Sequence, residues 1–370
     1  MIRRLSFAGM ALFIFFGFFG CSRPVEPVVD DAYLLGTVIR VSIHDDGYGQ
    51  DLIDTVFDRV AVIEARMSTS EEDYDTTELL AVNRAPAGTP LTVSPDTFEV
   101  LTAAHRYSEL SSGAFDLTIW PLVRLWKIGS GGTEVPPAEE IAAARELVDY
   151  TRLDLPDENR VVLRDEGMGV DVGAIAKGYA ADEAEEILRQ AGVEHALLDF
   201  GGNILVIGAK PDNTPWRIGI QRPDAERSRY VGILRTADRT VVTSGAYERF
   251  FVQDGVRYHH IIDPRTGYPS RNGLEQVTVI AERSIDADAL STAGFVLGLV
   301  DALELFETIS GVEGILVTDD KEVYVTSGLA SATYESGEDE AEDTGEERPS
   351  TWQGTTEFEL TDGEYRLIRR

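Results

Sequence analysis

Asp288 and Thr292 stand four residues apart in Asp286-Ala287-Asp288-Ala289-Leu290-Ser291-Thr292-Ala293, so on a helix they share one face. A carboxylate and a hydroxyl flanked by small alanines suit a hard cation such as magnesium, which takes oxygen ligands and keeps positions open for substrate phosphates. The same carboxylates could instead cap a helix N-terminus. A second stretch, Asp171-Val172-Gly173-Ala174-Ile175-Ala176-Lys177-Gly178, reads as a strand giving way to a glycine turn and then a helix. Backbone N–H groups there, with Lys177 on the first turn, could hold an anion; a plain strand-to-helix connection has the same pattern. His259-His260-Ile261-Ile262-Asp263-Pro264-Arg265-Thr266-Gly267 ends a strand in a turn. A histidine at that end can be a general base near neutral pH, or one of a surface pair. In Gly113-Ala114-Phe115-Asp116-Leu117-Thr118, Phe115 could pack in a core or against a flat ring. Phe200-Gly201-Gly202-Asn203 reads as a turn with a close backbone approach.

The elements that must position these residues follow from hydrophobic periodicity. Helical spacing covers 51–67, 94–110 (opened by Ser94-Pro95), 137–148, 174–190 (stopped by Gly192), and 288–297 with 300–310 around Gly298. Strand patterns cover 37–43, 160–164, 196–207, 216–221, 232–235, 240–243, 248–252, 257–262, 276–281, 314–318 and 322–326. Several are joined by hairpin-type turns such as Gln253-Asp254-Gly255. Strands occur in runs as well as between helices. That predicts an α+β fold of mixed and antiparallel sheets with packed helices, not a doubly wound parallel sheet.

The chain has 370 residues and a formal net charge of -32. A surface this acidic repels nucleic acid, and repels a free nucleotide unless a metal ion or local cations neutralise its phosphates. The single cysteine, Cys21, excludes an intrachain disulfide. Arg3 and Arg4 precede an apolar run from Leu5 to Gly20, which reads as a signal peptide over 1–20. Phe18-Phe19-Gly20-Cys21 resembles a bacterial lipoprotein cleavage box, with Phe18 where a leucine-like residue is usual. The expectation is an exported protein, lipid-anchored through Cys21 to the periplasmic side of a bacterial membrane. Residues 21–30 read as a tether and 31–333 as the globular domain. The extension 334–370 opens with an acidic run, 335–347, whose composition cannot bury a core, so disorder is expected there. Phe358, Leu360, Tyr365 and Leu367 regain some alternation, which fits an edge hairpin or a loose tail.

Taken in order, the strings resemble the ApbE-like family, the FAD:protein FMN transferases. The resemblance rests on Leu35-Gly36-Thr37, Met67-Ser68-Thr69, Gly113 to Thr118, Asp171 to Ala180, Gly201-Gly202-Asn203, Pro215 to Ile220, Thr243 to Phe250, His260 to Gly267 and Ala287 to Ala293, which span nearly the whole domain. It implies an ApbE-like, T-fold-related architecture. It implies Mg²⁺ held by Asp288, Thr292 and the Ala174 carbonyl, with Ser291 close by. It implies FAD contacts at Leu35, Ala114, Phe115, Asp116, Asp171 and Lys177, and His260 near the diphosphate as general base. Ser70 stands where the family usually has an aromatic after Met-Ser-Thr, and Tyr74 could supply the ring; Asn203 stands where many relatives have Asp.

The implied reaction cleaves FAD, releases AMP, and joins FMN through its phosphate to a Thr or Ser hydroxyl of an exported redox protein. Two alternatives use the same site: a FAD pyrophosphatase yielding FMN and AMP, and a flavin-binding lipoprotein without turnover.

Overall fold

The computed structural model describes residues 26–157, 159–225, 228–329, 333–334 and 355–369. In chain order, β1 (Val28–Leu34), β2 (Thr37–Ile43), α1 (Gln50–Met67), α2 (Glu78–Arg84), β3 (Leu91–Thr92), α3 (Pro95–Leu110), α4 (Trp120–Trp126) and α5 (Ala138–Arg145) come first. Next are β4 (Leu153–Asp154), β5 (Arg160–Leu163), α6 (Ala176–Gln190), β6 (Ala196–Phe200), β7 (Asn203–Ile207), β8 (Trp216–Gln221), β9 (Tyr230–Thr236), β10 (Arg239–Gly245), β11 (Phe250–Gln253) and β12 (Val256–His259). The chain continues through β13 (Leu274–Ala281), α7 (Ser284–Leu297), α8 (Leu299–Thr308), β14 (Glu313–Thr318), β15 (Glu322–Val325), β16 (Thr333–Tyr334), β17 (Glu357–Leu360) and β18 (Arg366–Arg369).

A nine-stranded sheet in the order β1-β2-β6-β7-β10-β13-β14-β15-β18 divides the core in two. Its neighbours pair antiparallel, apart from the parallel β15–β18 edge. Alternation along the strands sends side chains to opposite faces. Val242, Val277, Val279 and Leu316 join the core that also holds α1, α3, α6 and α7. Val241, Ile280, Ile315 and Val317 join a second core against the four-stranded sheet β16-β17-β9-β8. Burial on both faces explains why these strands read as continuous apolar runs. The α+β arrangement matches the expectation.

The helices obey their sequence signals. α1 buries Ile53, Val56, Val60, Ile63 and Met67, one face of a 3.6-residue period. The Ser94 hydroxyl caps α3 by accepting from the Thr97 N–H, and Pro95 sits in the first turn, where its missing N–H costs nothing. α6 crosses α7 so closely that a Cβ added at Gly178 would lie 2.3 Å from the Ser284 carbonyl oxygen. The Asp182 carboxylate of α6 accepts from the Ser284 and Ile285 N–H groups, so α7 starts at Ser284 rather than at the expected 288.

Several boundaries differ from expectation. The 196–207 span is two strands, turned by Gly201 and Gly202 with φ of 69° and 97°. No strand leads directly into Gly173. Val170 instead exchanges hydrogen bonds with the Asn83 side chain, which takes the place of a neighbouring strand. β1 starts at Val28, inside the stretch read as tether, because it pairs along its whole length with β2. The 334–370 extension is not disordered throughout: β17 pairs with β9, β18 with β15, and Phe358, Leu360 and Tyr365 are buried in the second core. The 1–20 leader, Cys21 and the acidic run at 335–347 lie outside the described residues.

Candidate active site

Two turns and one helix, distant in sequence, meet at the N-terminus of α6. Asp171 ties the first group together. Its N–H donates to the Leu117 carbonyl (2.9 Å), its Oδ1 accepts from the Gly173 N–H (2.9 Å), and its Oδ2 accepts from the Thr69 hydroxyl (2.6 Å). The strings around Thr69, Leu117 and Asp171 are thereby joined.

Asp288 ties in α7. It is only 3% exposed, and its Oδ2 accepts from the Gly178 N–H at 2.9 Å. Lys177 Nζ stands 3.7 Å from Asp288 Oδ1 and donates to the Gly173 carbonyl at 3.2 Å. The Gly178 bond has a consequence for Ala174. In a regular helix the amide four residues on would serve the Ala174 carbonyl. Here that amide goes to Asp288, and among the described residues no hydrogen bond reaches the Ala174 oxygen. A spare carbonyl therefore belongs to the same turn that meets a buried carboxylate. Thr292 lies one turn beyond Asp288, its Oγ1 3.3 Å from Ser244 Oγ. Ser291 is fully buried; its hydroxyl donates to the Asp288 carbonyl (2.9 Å) and lies 2.8 Å from Ser244 Oγ.

The oxygens of Asp288, Thr292 and Ala174 make a hard donor set, and they fit a magnesium ion. The buried carboxylate lacks a full complement of donors, and the carbonyl lacks any among the described residues. Ser291 does not fit as a ligand, because its hydroxyl is committed to the helix and to Ser244; it braces the set from behind. Among the described residues no three or more His, Cys, Asp or Glu side chains gather as they would around a softer metal.

His260 follows β12. Its N–H donates to the Arg249 carbonyl at 3.0 Å. Its Nδ1 is buried and has no hydrogen-bond partner among the described residues. Burial, helped by the positive charges of Arg249 and Lys177 and by His259, lowers its pKa to about 3. The imidazole is therefore neutral and offers a free lone pair. Its neighbour His259 is spent on structure: Nε2 meets the Ser270 carbonyl at 2.8 Å.

Leu35 and Gly36 form the two-residue turn between β1 and β2, both with positive φ (53° and 69°). A leucine in that region is strained by about 1 kcal/mol. The turn is held by Arg249 Nη2, which donates to the Gly36 carbonyl at 3.2 Å, and by Glu64, which accepts from the Leu35 N–H. Burial of the Glu64 carboxyl raises its pKa more than that bond lowers it. Tyr74 lies close enough to Glu64 for the carboxylate to raise the phenol pKa, after burial itself.

Ala114, Phe115 and Asp116 present a different picture from the one expected of a ligand wall. Phe115 is 4% exposed and belongs to the main core. The Asp116 carboxylate is saturated by the Thr118 N–H, the Thr118 hydroxyl and the Tyr150 N–H at 2.8, 2.7 and 3.0 Å. Burial raises its pKa, and those donors oppose the rise. These side chains shape the loop that ends at the Leu117 carbonyl.

Ser244 and Arg249 carry as much of the geometry as the residues singled out by chemistry. Their string was part of the resemblance, but no spacing signal marked a role for either. A cavity of about 880 Å³ opens beside them, lined by Tyr247, Glu248, Phe250, Arg229 and Arg257 among others. It contains none of the expected FAD contacts.

The ApbE family model matches residues 35–316. A FAD:protein FMN transferase of Klebsiella pneumoniae (strain 342) is 36% identical over 297 residues, covering 80% of this chain and 90% of the relative. One from Treponema pallidum (strain Nichols) is 33% identical over 310 residues, covering 80% and 86%. The crystal structure of an ApbE protein from Thermotoga maritima MSB8 superposes with a TM-score of 0.75 at 32% identity, covering 82% of this chain and 98% of that one. A flavin transferase ApbE from Vibrio cholerae gives 0.73 at 30%, with the same coverages.

Proposed function

The chain belongs to the ApbE family, and from that premise we propose that it is a Mg²⁺-dependent FAD:protein FMN transferase, exported and lipid-anchored through Cys21. The observation that carries the reading is the meeting of Asp288, the spare Ala174 carbonyl and Lys177 at one turn, within electrostatic reach of the unpartnered His260 imidazole. The activities named for the relatives support the substrate, FAD, and a protein acceptor.

In this reading Asp288, Thr292 and the Ala174 carbonyl hold the ion. When bound, magnesium neutralises phosphate charge and stabilises the charge that develops in transfer. Lys177 and Arg249 flank His260 and draw the FAD diphosphate toward it. Asp171 fixes the turn, and the Leu35-Gly36 turn bounds the flavin side. Ala114, Phe115 and Asp116 act as framework. Tyr74, close enough to feel the Glu64 carboxylate that holds the Leu35 N–H, stacks in place of the ring that Ser70 lacks.

A threonine or serine hydroxyl of the acceptor attacks the FMN-side phosphorus. The new bond is Oγ–P, the bond broken joins that phosphorus to the bridging oxygen, and AMP leaves with the electron pair. His260 takes the hydroxyl proton. A base of pKa about 3 is weak, but a bound diphosphate places negative charge beside it and raises that value.

The test is direct. The full chain in detergent is incubated with FAD, Mg²⁺ and a flavinylated-type redox domain, and AMP release and FMN-sized mass gain are followed. Both signals together support transfer. AMP without mass gain favours hydrolysis, and neither signal overturns the enzyme reading. Asp288→Ala should abolish most magnesium-dependent turnover while the protein still folds; full activity would refute the ion assignment. Lipidation is checked by a Cys21→Ser variant, which should leave the membrane fraction.

A further inference from the structure

α6 and α7 touch backbone to backbone: a Cβ added at Gly178 would lie 2.3 Å from the Ser284 oxygen and 2.7 Å from the Ile285 Cα. From one turn beyond that crossing, each helix returns a carboxylate to the backbone of the other. Asp288 of α7 accepts from the Gly178 N–H at 2.9 Å. Asp182 of α6 accepts from the Ser284 N–H with Oδ1 at 2.6 Å and from the Ile285 N–H with Oδ2 at 3.2 Å. Those two amides open α7 and find no acceptor within it. Arg283, in the N-cap position, gives no side-chain bond. A helix is usually capped by a residue next to it in sequence. α7 is capped from another helix, by a carboxylate that is 15% exposed and has the Arg283 guanidinium 3.6 Å away.

The two helices are moored to different parts of the molecule. Ser284 is fully buried; its hydroxyl donates to Asn203 Oδ1 at 2.7 Å and accepts from the Thr240 hydroxyl at 3.0 Å, which fixes α7 to β7 and β10. The Tyr107 hydroxyl of α3 donates to Asp286 at 2.5 Å and holds α7 from another side. α6 is held elsewhere: Glu183 pairs with Arg59 of α1 at 2.6 Å, and Arg189 with Asp238, just before β10, at 2.8 Å. Among the described residues, hydrogen bonds between α6 and α7 come from Asp182 and Asp288 alone. Asp288 is also the carboxylate proposed to take the ion. Asp182 is the tie that no ligand claims.

We propose that Asp182 is a positioning residue of the active site: it holds the turn that opens α6, with its Ala174 carbonyl and Lys177, at a fixed distance from Asp288 and Thr292 on α7. Groups that act together must be held by neighbours that are themselves locked, and the Asp182 bonds supply that lock. An ion at Asp288 would draw charge away from the Gly178 N–H, whereas the bonds to Ser284 and Ile285 are out of its reach. The role rests on the proposed transferase site for its reaction, but the tie between the helices stands without it.

Variants of the full chain in detergent separate positioning from capping. Asp182→Ala removes both bonds. Asp182→Asn keeps an acceptor for the Ser284 N–H but turns an N–H toward that of Ile285; it is the milder change should alanine prevent folding. Asp182→Ala combined with Arg283→Ser restores a local cap, since residue 283 has the extended backbone that a capping serine uses (φ -105°, ψ 135°). Without FAD or Mg²⁺, hydrogen exchange at Gly178 should quicken about tenfold in each variant, as for one weakened hydrogen bond, while amides at 184–188 keep their protection. AMP release from FAD with Mg²⁺ should fall about 100-fold in Asp182→Ala, the loss expected for a displacement of about 1 Å, and less in Asp182→Asn. The added serine should return part of the lost Tm but neither the rate nor the protection at Gly178. Recovery of the rate together with Tm would make Asp182 a cap only and overturn the positioning role. Unchanged exchange at Gly178 in either single variant would overturn it too. Selective exchange at Gly178, in a chain whose wild type releases no AMP, would uphold the tie and overturn the transferase reading.

Discussion

Gly178→Ala sets two effects against each other, and the structure decides between them. Alanine favours a helix over glycine by about 1 kcal/mol, and Gly178 is in α6. The new methyl, however, would sit 2.3 Å from the Ser284 oxygen and 2.7 Å from the Ile285 Cα, where ordinary contact begins at 3.4 Å. Both obstacles are backbone, so no rotamer change relieves them, and α6 must move from α7 by about 1 Å. Overpacking of this kind costs about 1–3 kcal/mol. The net is a loss of up to about 2 kcal/mol, with Tm falling by about 2–4 °C per kcal/mol lost. The same displacement separates Asp288 from the turn that carries Ala174 and Lys177. Misplacement by about 1 Å can lower a rate about 100-fold. Calorimetry gives the first quantity, and AMP release at 25 °C, where the variant is still folded, gives the second. A variant as stable as wild type with an unchanged rate would refute the close crossing and the site built on it.

His260→Ala should still bind FAD while turnover falls about 10²–10⁴-fold, measured by AMP release. The folded-state pKa of His260 is about 3 against an ordinary 6.5, so the unfolded chain takes the proton first as pH falls. The stability this contributes is fully present above pH 6.5 and is lost as pH drops toward 3; the variant's denaturation midpoint should change less over that window. Asp182 has the opposite sign. Burial lifts its pKa from 3.8 to about 7, so wild-type stability should decline as pH rises between those values, and Asp182→Asn should flatten the decline in urea titrations. Phe358→Ala should cost about 3–5 kcal/mol in chemical denaturation, since the ring is fully buried between β9 and the large sheet; an unchanged midpoint would mean β17 is not docked.

Much of this fold was legible because single stretches announced themselves. α1 showed its apolar stripe, α3 its Ser94-Pro95 start, and the central strands their apolar runs. β1 did not, because it is an edge strand with Asp30 and Asp31 inside it and Val29 and Tyr33 turned outward, so neither period nor polarity marks it. α2 and α4 have seven residues each, too short for a period to establish itself. The site was legible only through its ordered strings. Contacts such as Thr69–Asp171, Gly178–Asp288 and Ser244–Ser291 join positions far apart in the chain, and local spacing holds no trace of them. Ser244 and Arg249 act through a hydroxyl, a carbonyl and a guanidinium whose partners are brought to them only by the fold. Phe115 and Asp116 illustrate the converse, a chemically suggestive pair whose side chains are consumed by packing and by local N–H groups.

Lys177 gives the buried carboxylate of Asp288 a counter-charge that travels with the polypeptide. A chain so equipped needs no divalent ion to balance that charge as it folds, which matters for a protein proposed to cross a membrane before it matures. In the proposed Mg²⁺ site the ammonium would have to yield to an ion, and a diphosphate arriving with that ion would give the displaced lysine a new anion to hold. One side chain on the first turn of a helix would thus favour ion and nucleotide entering as a pair.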